Sequence, residues 1–84
     1  MKIRKYVIRN NKKNCKDMYF GGWGLSALTG EPSALWYNRD SEDVFKFSSK
    51  PDGKDYAQAL IEKGYNVKII KLKQAEWLYD GGDN

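Results

Sequence analysis

The sequence predicts a single α+β domain over residues 1–84: a small, mostly antiparallel sheet of about five strands with one helix packed on a face. Three observations lead to this prediction. A chain of 84 residues is long enough for one hydrophobic core. Short apolar runs alternate with polar or glycine-rich stretches, which is typical of strands. One stretch near residues 49–64 has the periodicity of an amphipathic helix. The predicted order is β-β-β-β-α-β.

Four strands are predicted before the helix, at residues 2–9, 17–23, 33–38 and 43–47. In the first, Tyr6 and Ile8 point to one side and Ile3 and Val7 to the other, so we expect burial on both faces. The second is rich in aromatic residues and runs into glycines, after which an irregular stretch is predicted to about residue 32.

The third strand also alternates, with Leu35 and Tyr37 opposite Ala34 and Trp36. The fourth strand, which follows a polar turn, places Phe45 and Phe47 on one face.

The helix has recognisable ends. Ser49 or Asp52 can cap its start, because a side-chain oxygen there accepts a hydrogen bond from a free N–H of the first turn. Gly64 is expected to end it in a left-handed conformation. Between them an apolar stripe is formed by Tyr56, Ala57, Ala59, Leu60 and Ile61. Residues 65–73 are predicted to be the last strand, and residues 74–84 either fold back onto the core or form a tail.

Composition argues against an enzyme. The chain has no histidine and one cysteine, Cys15, which excludes Ser-His-Asp and Cys-His nucleophile systems, histidine-based and cysteine-clustered metal sites, and an internal disulfide. No pair of carboxylates lies in an apolar setting that would separate their pKa values. We therefore expect no catalytic residues, no metal and no cofactor.

The N-terminal segment does not resemble a secretory signal, because its apolar run is too short. A free thiol and the lack of any long apolar run favour a cytoplasmic protein with no membrane association.

Charge is distributed unevenly along the chain. The formal net charge is +4, yet residues 1–16 hold seven Lys or Arg and no acid, whereas the segment from 17 to 62 holds four bases and eight acids. Clustered cations attract phosphates or acidic protein surfaces. The candidate partner-binding cations are Arg4, Arg9, Lys12, Lys13 and Lys16. The alternative, equally weighted, is that a small domain needs net charge for solubility.

Two tryptophans are further candidates for partner binding. Trp23 lies in a Gly21–Gly24 stretch that lacks the lysine and helix of a phosphate-binding loop, and Trp77 lies near the C-terminus. If they project from the surface, they are strong contact residues. The alternative, favoured for most of the aromatic residues, is that they pack in the core.

One set of packing residues carries a resemblance to known proteins: Tyr6–Arg9, Val44–Ser49, Ala57, Leu60, Ile61, Gly64–Val67 and Ile69. In these residues the chain resembles small phage- or prophage-encoded accessory proteins of Gram-positive bacteria. It implies a short non-catalytic protein, of a class in which several members bind and block host defence machinery such as CRISPR nucleases.

Two functions follow as hypotheses. The first is an anti-CRISPR-like inhibitor that occupies a protein or nucleic-acid-binding surface of a host protein or ribonucleoprotein complex. The second is a nucleic-acid-binding module in which the basic segment contacts phosphates and aromatic rings stack on bases. Because a sheet leaves free edges, either a monomer or a homodimer is compatible with both.

Overall fold

The computed structural model describes residues 3–14 and 17–79 of the chain. Its strands are β1 (Ile3–Arg4), β2 (Tyr6–Asn10), β3 (Met18–Leu25), β4 (Pro32–Asn38), β5 (Val67–Lys71) and β6 (Leu78–Tyr79). The helix α1 spans Lys50–Glu62, and a 3-10 turn spans Gln74–Glu76. The predicted tail residues 80–84, together with Cys15 and Lys16, lie outside the described residues.

The strands form two antiparallel sheets. The larger has the order β4-β3-β2-β5, and β1 pairs with β6 in a separate two-stranded ribbon. The predicted α+β class with one helix is confirmed. The single sheet of about five strands is wrong, because residues 3–14 and 17–79 form one sheet of four strands and a second of two.

Each face of the larger sheet has its own core. The helix covers a cluster of Ile8, Phe20, Phe47, Ala57 and Leu60. The opposite face is covered by the segment that contains Val44 and by the C-terminal segment that contains Leu72 and Trp77. Val7 and Ile8, adjacent in β2, are 1% and 0% exposed. Because neighbours in a strand point to opposite faces, the predicted two-sided burial of this strand is confirmed.

The helix ends agree with the sequence prediction. Ser49 is the N-cap, and its hydroxyl accepts the backbone N–H of Asp52 at 3.4 Å. At the other end Gly64 has a φ of 97°, a conformation that costs glycine little. Tyr65 then donates its N–H to the carbonyl of Leu60 at 3.0 Å, so the last strand begins at Val67 rather than at residue 65.

The predicted fourth strand, residues 43–47, is not a strand. The backbone N–H of Phe45 donates to Phe20 O at 2.9 Å, whereas that of Phe47 donates to Tyr6 O at 2.8 Å. Because these two bonds go to different strands, the segment crosses the end of the sheet between β2 and β3 instead of extending it. The segment pairs with the sheet through one isolated β-bridge, between Tyr6 and Phe47.

Two further boundaries differ from the prediction. The first predicted strand is divided at Lys5, which donates its N–H to Phe47 O at 2.8 Å and separates β1 from β2. The second predicted strand does not end at Trp23, because β3 continues to Leu25 through a bulge. Gly22 in this bulge has a φ of 108°, and a Cβ there would lie 2.9 Å from the ring of Phe45.

No helix in the described part of the chain has the length and apolar character needed to cross a lipid bilayer.

Candidate functional site

Two acid-free segments lie side by side in the sheet. Residues 3–14 contain Arg4, Lys5, Arg9, Lys12 and Lys13, and residues 63–73 contain Lys63, Lys68, Lys71 and Lys73. Strand β2 belongs to the first segment and β5 to the second, and they pair over all five residues of each strand. The basic character predicted for the N-terminal segment is therefore extended by a neighbouring strand.

Arg9 of β2 lies directly opposite Lys68 of β5. Strand alternation puts both on the face that the helix does not cover, the same face as Val7. Like charges in directly opposite positions destabilise a sheet. Neither side chain forms an ion pair with an acidic residue among residues 3–14 and 17–79. The fold thus holds two uncompensated cations together at a cost in stability, an arrangement suited to binding an anion.

A second pair of cations flanks Trp77. The ammonium of Lys5 lies 5.2 Å from the centre of the indole ring and that of Lys71 lies 5.6 Å from it. The indole ring is held against the sheet, because it packs on the cluster of Val7 and Leu72 and its Nε1–H donates to Leu72 O at 2.8 Å. Cation–π attraction holds both ammonium groups close to the indole ring of Trp77.

We define the basic face as Lys5, Arg9 and Lys68 together with Trp77 and Lys71. Lys71 pairs with Tyr6 and leaves β5 on the helix side, and it belongs to the set because its ammonium reaches the indole of Trp77. Arg9 has one further feature. Its Nη2 donates to Asn11 Oδ1 at 3.1 Å, but its Nε is buried and has no hydrogen-bond partner among the described residues. A buried donor without an acceptor costs about 1–3 kcal/mol.

An ion pair anchors the turn that leads into Trp77. Arg39, at the end of β4, donates to both carboxylate oxygens of Glu76 at 2.6 and 2.7 Å. This hydrogen-bonded contact lowers the pKa of Glu76 and raises that of Arg39. Lys46 adds a bond from Nζ to the backbone carbonyl of Glu76 at 3.0 Å. The turn is therefore attached to the sheet from two sides, which fixes the position of the indole.

The other predicted cations lie apart from the basic face. Lys12 and Lys13 are exposed in the turn after β2. Arg4 is on β1 and lines an open cleft of about 620 Å³ in which Asp43 and Asp52 also take part. Lys16 lies outside the described residues. The cations predicted as one group are thus divided between the two ends of β2.

Neither candidate tryptophan projects freely. Trp23 is partly buried, meets Phe20 edge-to-face at 5.4 Å, and has the ammonium of Lys63 5.8 Å from its ring. Trp77 is partly buried as described above. The most exposed large apolar side chains are instead Leu28, 97% exposed, and Leu25, 75% exposed, at the tip of the β3–β4 hairpin. Sequence reasoning did not single these out, nor did it single out Lys5, Lys68 and Lys71.

No cluster of three or more acidic or cysteine side chains within the described ranges is placed to hold a metal ion. Comparisons with protein-family models, curated proteins and solved structures find no match to the chain.

Proposed function

We propose that this chain is a non-catalytic binding protein whose basic face binds the phosphates of single-stranded nucleic acid. The observation that supports this most directly is the pairing of Arg9 with Lys68 without an acidic partner. Cations arranged in this way gain binding free energy from the counterions that a phosphate backbone releases.

The neighbouring indole favours a single strand over a duplex. Trp77 is partly buried beneath the ammonium groups of Lys5 and Lys71, and its hydrogen bond is already made to Leu72 O, so a base stacks on the ring when the two lysines move from it to the phosphates. Bases of a single strand can stack on such a ring, whereas bases of a duplex cannot reach it. At about 3.3 Å per residue β2 is about 16 Å long, which suits a segment of a few nucleotides.

The test is the salt dependence of binding to a fluorescein-labelled 12-nucleotide oligothymidylate, followed by anisotropy. With four cations engaged, the logarithm of affinity should fall against the logarithm of salt concentration with a slope of about −3, since each phosphate contact on a single strand contributes about −0.7. Lys68→Glu combined with Lys71→Glu should weaken binding at least about 10-fold and flatten the slope by about 1.4.

A matched control distinguishes binding at the basic face from a general effect of the protein's net charge. Lys50→Glu combined with Lys54→Glu changes the net charge equally, but both residues are exposed on α1. We expect this control to retain most of the affinity. If both double variants weaken binding equally, or if the wild-type protein binds no oligonucleotide at low salt, the proposal is wrong. Lysines on an edge strand also discourage edge-to-edge association, and that role alone predicts no oligonucleotide binding.

A second candidate function is supported by a different observation. Leu25 and Leu28 are exposed at the hairpin tip, which is ordered by hydrogen bonds from Leu28 N–H and Thr29 N–H to the hydroxyl of Ser26. Exposed leucines on an ordered tip are suited to contact with a protein. Together with the resemblance to phage accessory proteins, this supports an inhibitor that blocks a host defence nuclease.

The inhibitor function is tested by measuring cleavage by purified RNA-guided nucleases with and without the protein. Inhibition that is lost in Leu25→Ser combined with Leu28→Ser, but retained in the variant of Lys68 and Lys71, would support docking through the hairpin tip. No effect on cleavage or on phage plating would count against it.

A further inference from the structure

A cavity of about 590 Å³, which we call the end cavity, opens where β2 ends and β5 begins. It is lined by Asn10, Lys12, Trp36, Gly64, Tyr65 and Asn66. Its aromatic wall is formed by Trp36 and Tyr65, whose ring centres are 5.6 Å apart at an interplanar angle of 59°. Both rings are partly buried and pack on the helix-side core, so they are held in place rather than free to rotate away.

The remaining wall is polar and is also fixed. Asn10 is 8% exposed, and its side-chain carbonyl accepts the backbone N–H of Lys12 at 2.9 Å. Its side-chain amide nitrogen makes no hydrogen bond to another described residue and remains a donor. The backbone of Asn66 is tied across the cavity mouth, because its carbonyl accepts the N–H of Asn11 at 2.7 Å. Asparagine amides hydrogen-bond the edges of nucleobases.

The charge around the end cavity distinguishes it from the cleft beside Arg4. None of its lining residues is acidic, and Lys12 stands at its rim. The cleft beside Arg4, by contrast, includes Glu42, Asp43 and Asp52 in its walls. Asn10 follows Arg9 in β2 and therefore points to the opposite, helix side of the sheet, so the end cavity is reached from Arg9 and Lys68 around the end of β2 and the start of β5.

We propose that the end cavity binds one unstacked nucleobase of the strand whose phosphates the basic face holds, an inference that rests on the proposed function. The base stacks on the wall of Trp36 and Tyr65, and its polar edge meets the amides of Asn10 and Asn66. Lys12 pairs with the phosphate next to that base. A planar aromatic ligand without phosphates is not attracted by Lys12 and the cations of the basic face. The cavity is therefore expected to bind a base within a nucleic-acid strand more tightly than such a ligand.

The first test compares two oligomers of the same length with the wild-type protein. One is oligothymidylate, and the other is an abasic oligomer with the same phosphates but no bases. Alanine substitution of stacking residues costs about 1–3 kcal/mol per base, so the abasic oligomer should bind about 5- to 150-fold more weakly. Equal affinity would overturn this inference and leave the basic face intact, whereas no binding of either oligomer would overturn both.

Because Trp77 can also stack on a base, the second test assigns the base-dependent part to the end cavity. Tyr65→Leu removes the ring but keeps an apolar side chain, and Tyr65→Phe keeps the ring as a matched control. Asn66→Ala changes an exposed side chain with little risk to folding. We expect Tyr65→Leu and Asn66→Ala to lower the affinity for oligothymidylate, by about 5-fold or more for the ring, and to leave the abasic oligomer unaffected.

Tyr65→Phe should behave like wild type toward both oligomers. Circular dichroism of each variant identifies any loss of folding before binding is compared. If Tyr65→Leu and Asn66→Ala fold and bind oligothymidylate as wild type does, the end cavity is not the base site.

Discussion

The two halves of the larger sheet differ in what their strands contain. The β3–β4 hairpin has no charged residue within either strand, and its aromatic side chains interlock with the helix-side core. In β2 and β5 the charged residues are all basic, and two of them, Arg9 and Lys68, lie opposite each other. The uneven charge along the sequence thus becomes a division across the width of the sheet, with every charged residue of these four strands on β2 or β5. Both halves are packed, since Val7 and Ile8 of β2 are as buried as Phe20 of β3, but the aromatic rings are concentrated in the hairpin.

The largest effect on stability is expected in the hairpin. Phe20 is fully buried and contacts the rings of Trp23, Trp36, Phe45 and Tyr56. Phe20→Ala should lower the free energy of unfolding by about 3–5 kcal/mol, enough to leave a domain of this size largely unfolded. Leu28→Ala is the matched apolar control at the exposed tip and should change it by less than about 0.5 kcal/mol. Urea denaturation followed by circular dichroism measures both, and similar losses in the two variants would contradict this division of roles.

An intermediate effect is expected at Trp77, where the two halves meet. Trp77→Ala removes a partly buried ring and its hydrogen bond to Leu72 O, so we expect a loss of about 2 kcal/mol in unfolding free energy. Trp77→Phe keeps a ring but not the donor and should lose about 1 kcal/mol. Affinity for oligothymidylate should fall in Trp77→Ala and be largely kept in Trp77→Phe. If Trp77→Ala lowers stability but leaves affinity unchanged, the indole supports the fold without contributing to binding.

The smallest effect is expected at the ion pair that joins the hairpin to the C-terminal turn. Arg39 lowers the pKa of Glu76, so this carboxylate favours the folded state above its unfolded pKa. That contribution is lost as the pH falls through the lowered pKa. Both side chains are partly exposed, which limits the contribution to about 1 kcal/mol or less.

Glu76→Gln tests this pH dependence. Wild type should be the more stable protein at pH 7, and the difference in unfolding free energy should close at a pH below the lowered pKa of Glu76, where both proteins lack the charge. Urea denaturation at the two pH values measures the difference. A difference that stays constant with pH would show that the side chain acts through its shape or neutral hydrogen bonds.

Local features of the sequence predicted the helix and most of the strands. Ser49 and Gly64 mark the helix ends through capping chemistry that depends on near neighbours alone. The alternation in β4 likewise predicted correctly that Ala34 and Trp36 face one side of the sheet and Tyr37 the other. Residues 43–47 alternate just as well, but their hydrogen bonds are divided between Phe20 and Tyr6. Phe45 packs against Gly22 in the bulge of β3, a tertiary contact that no local pattern reveals.

The candidate site was predictable in part. The basic N-terminal segment pointed to Arg9, but its partner Lys68 comes from a strand 59 residues later, and the register of β2 with β5 decides that they meet. The acid-free stretch at residues 63–73 could have indicated a second basic strand, but the net charge was counted over residues 63–84, where three acidic residues nearly cancel the four lysines. The end cavity left no comparable signal, because Asn10, Trp36 and Tyr65 are brought together by the fold alone.

The most direct test of the basic face is to map it residue by residue. Oligothymidylate is titrated into ¹⁵N-labelled protein, and the backbone amide signals are followed by NMR. The largest shifts should fall in residues 4–13 and 63–73 and in the indole N–H of Trp77, with little change across the hairpin tip at residues 25–32. Shifts concentrated at the hairpin tip, or none at low salt, would contradict the assignment of nucleic-acid binding to β2 and β5.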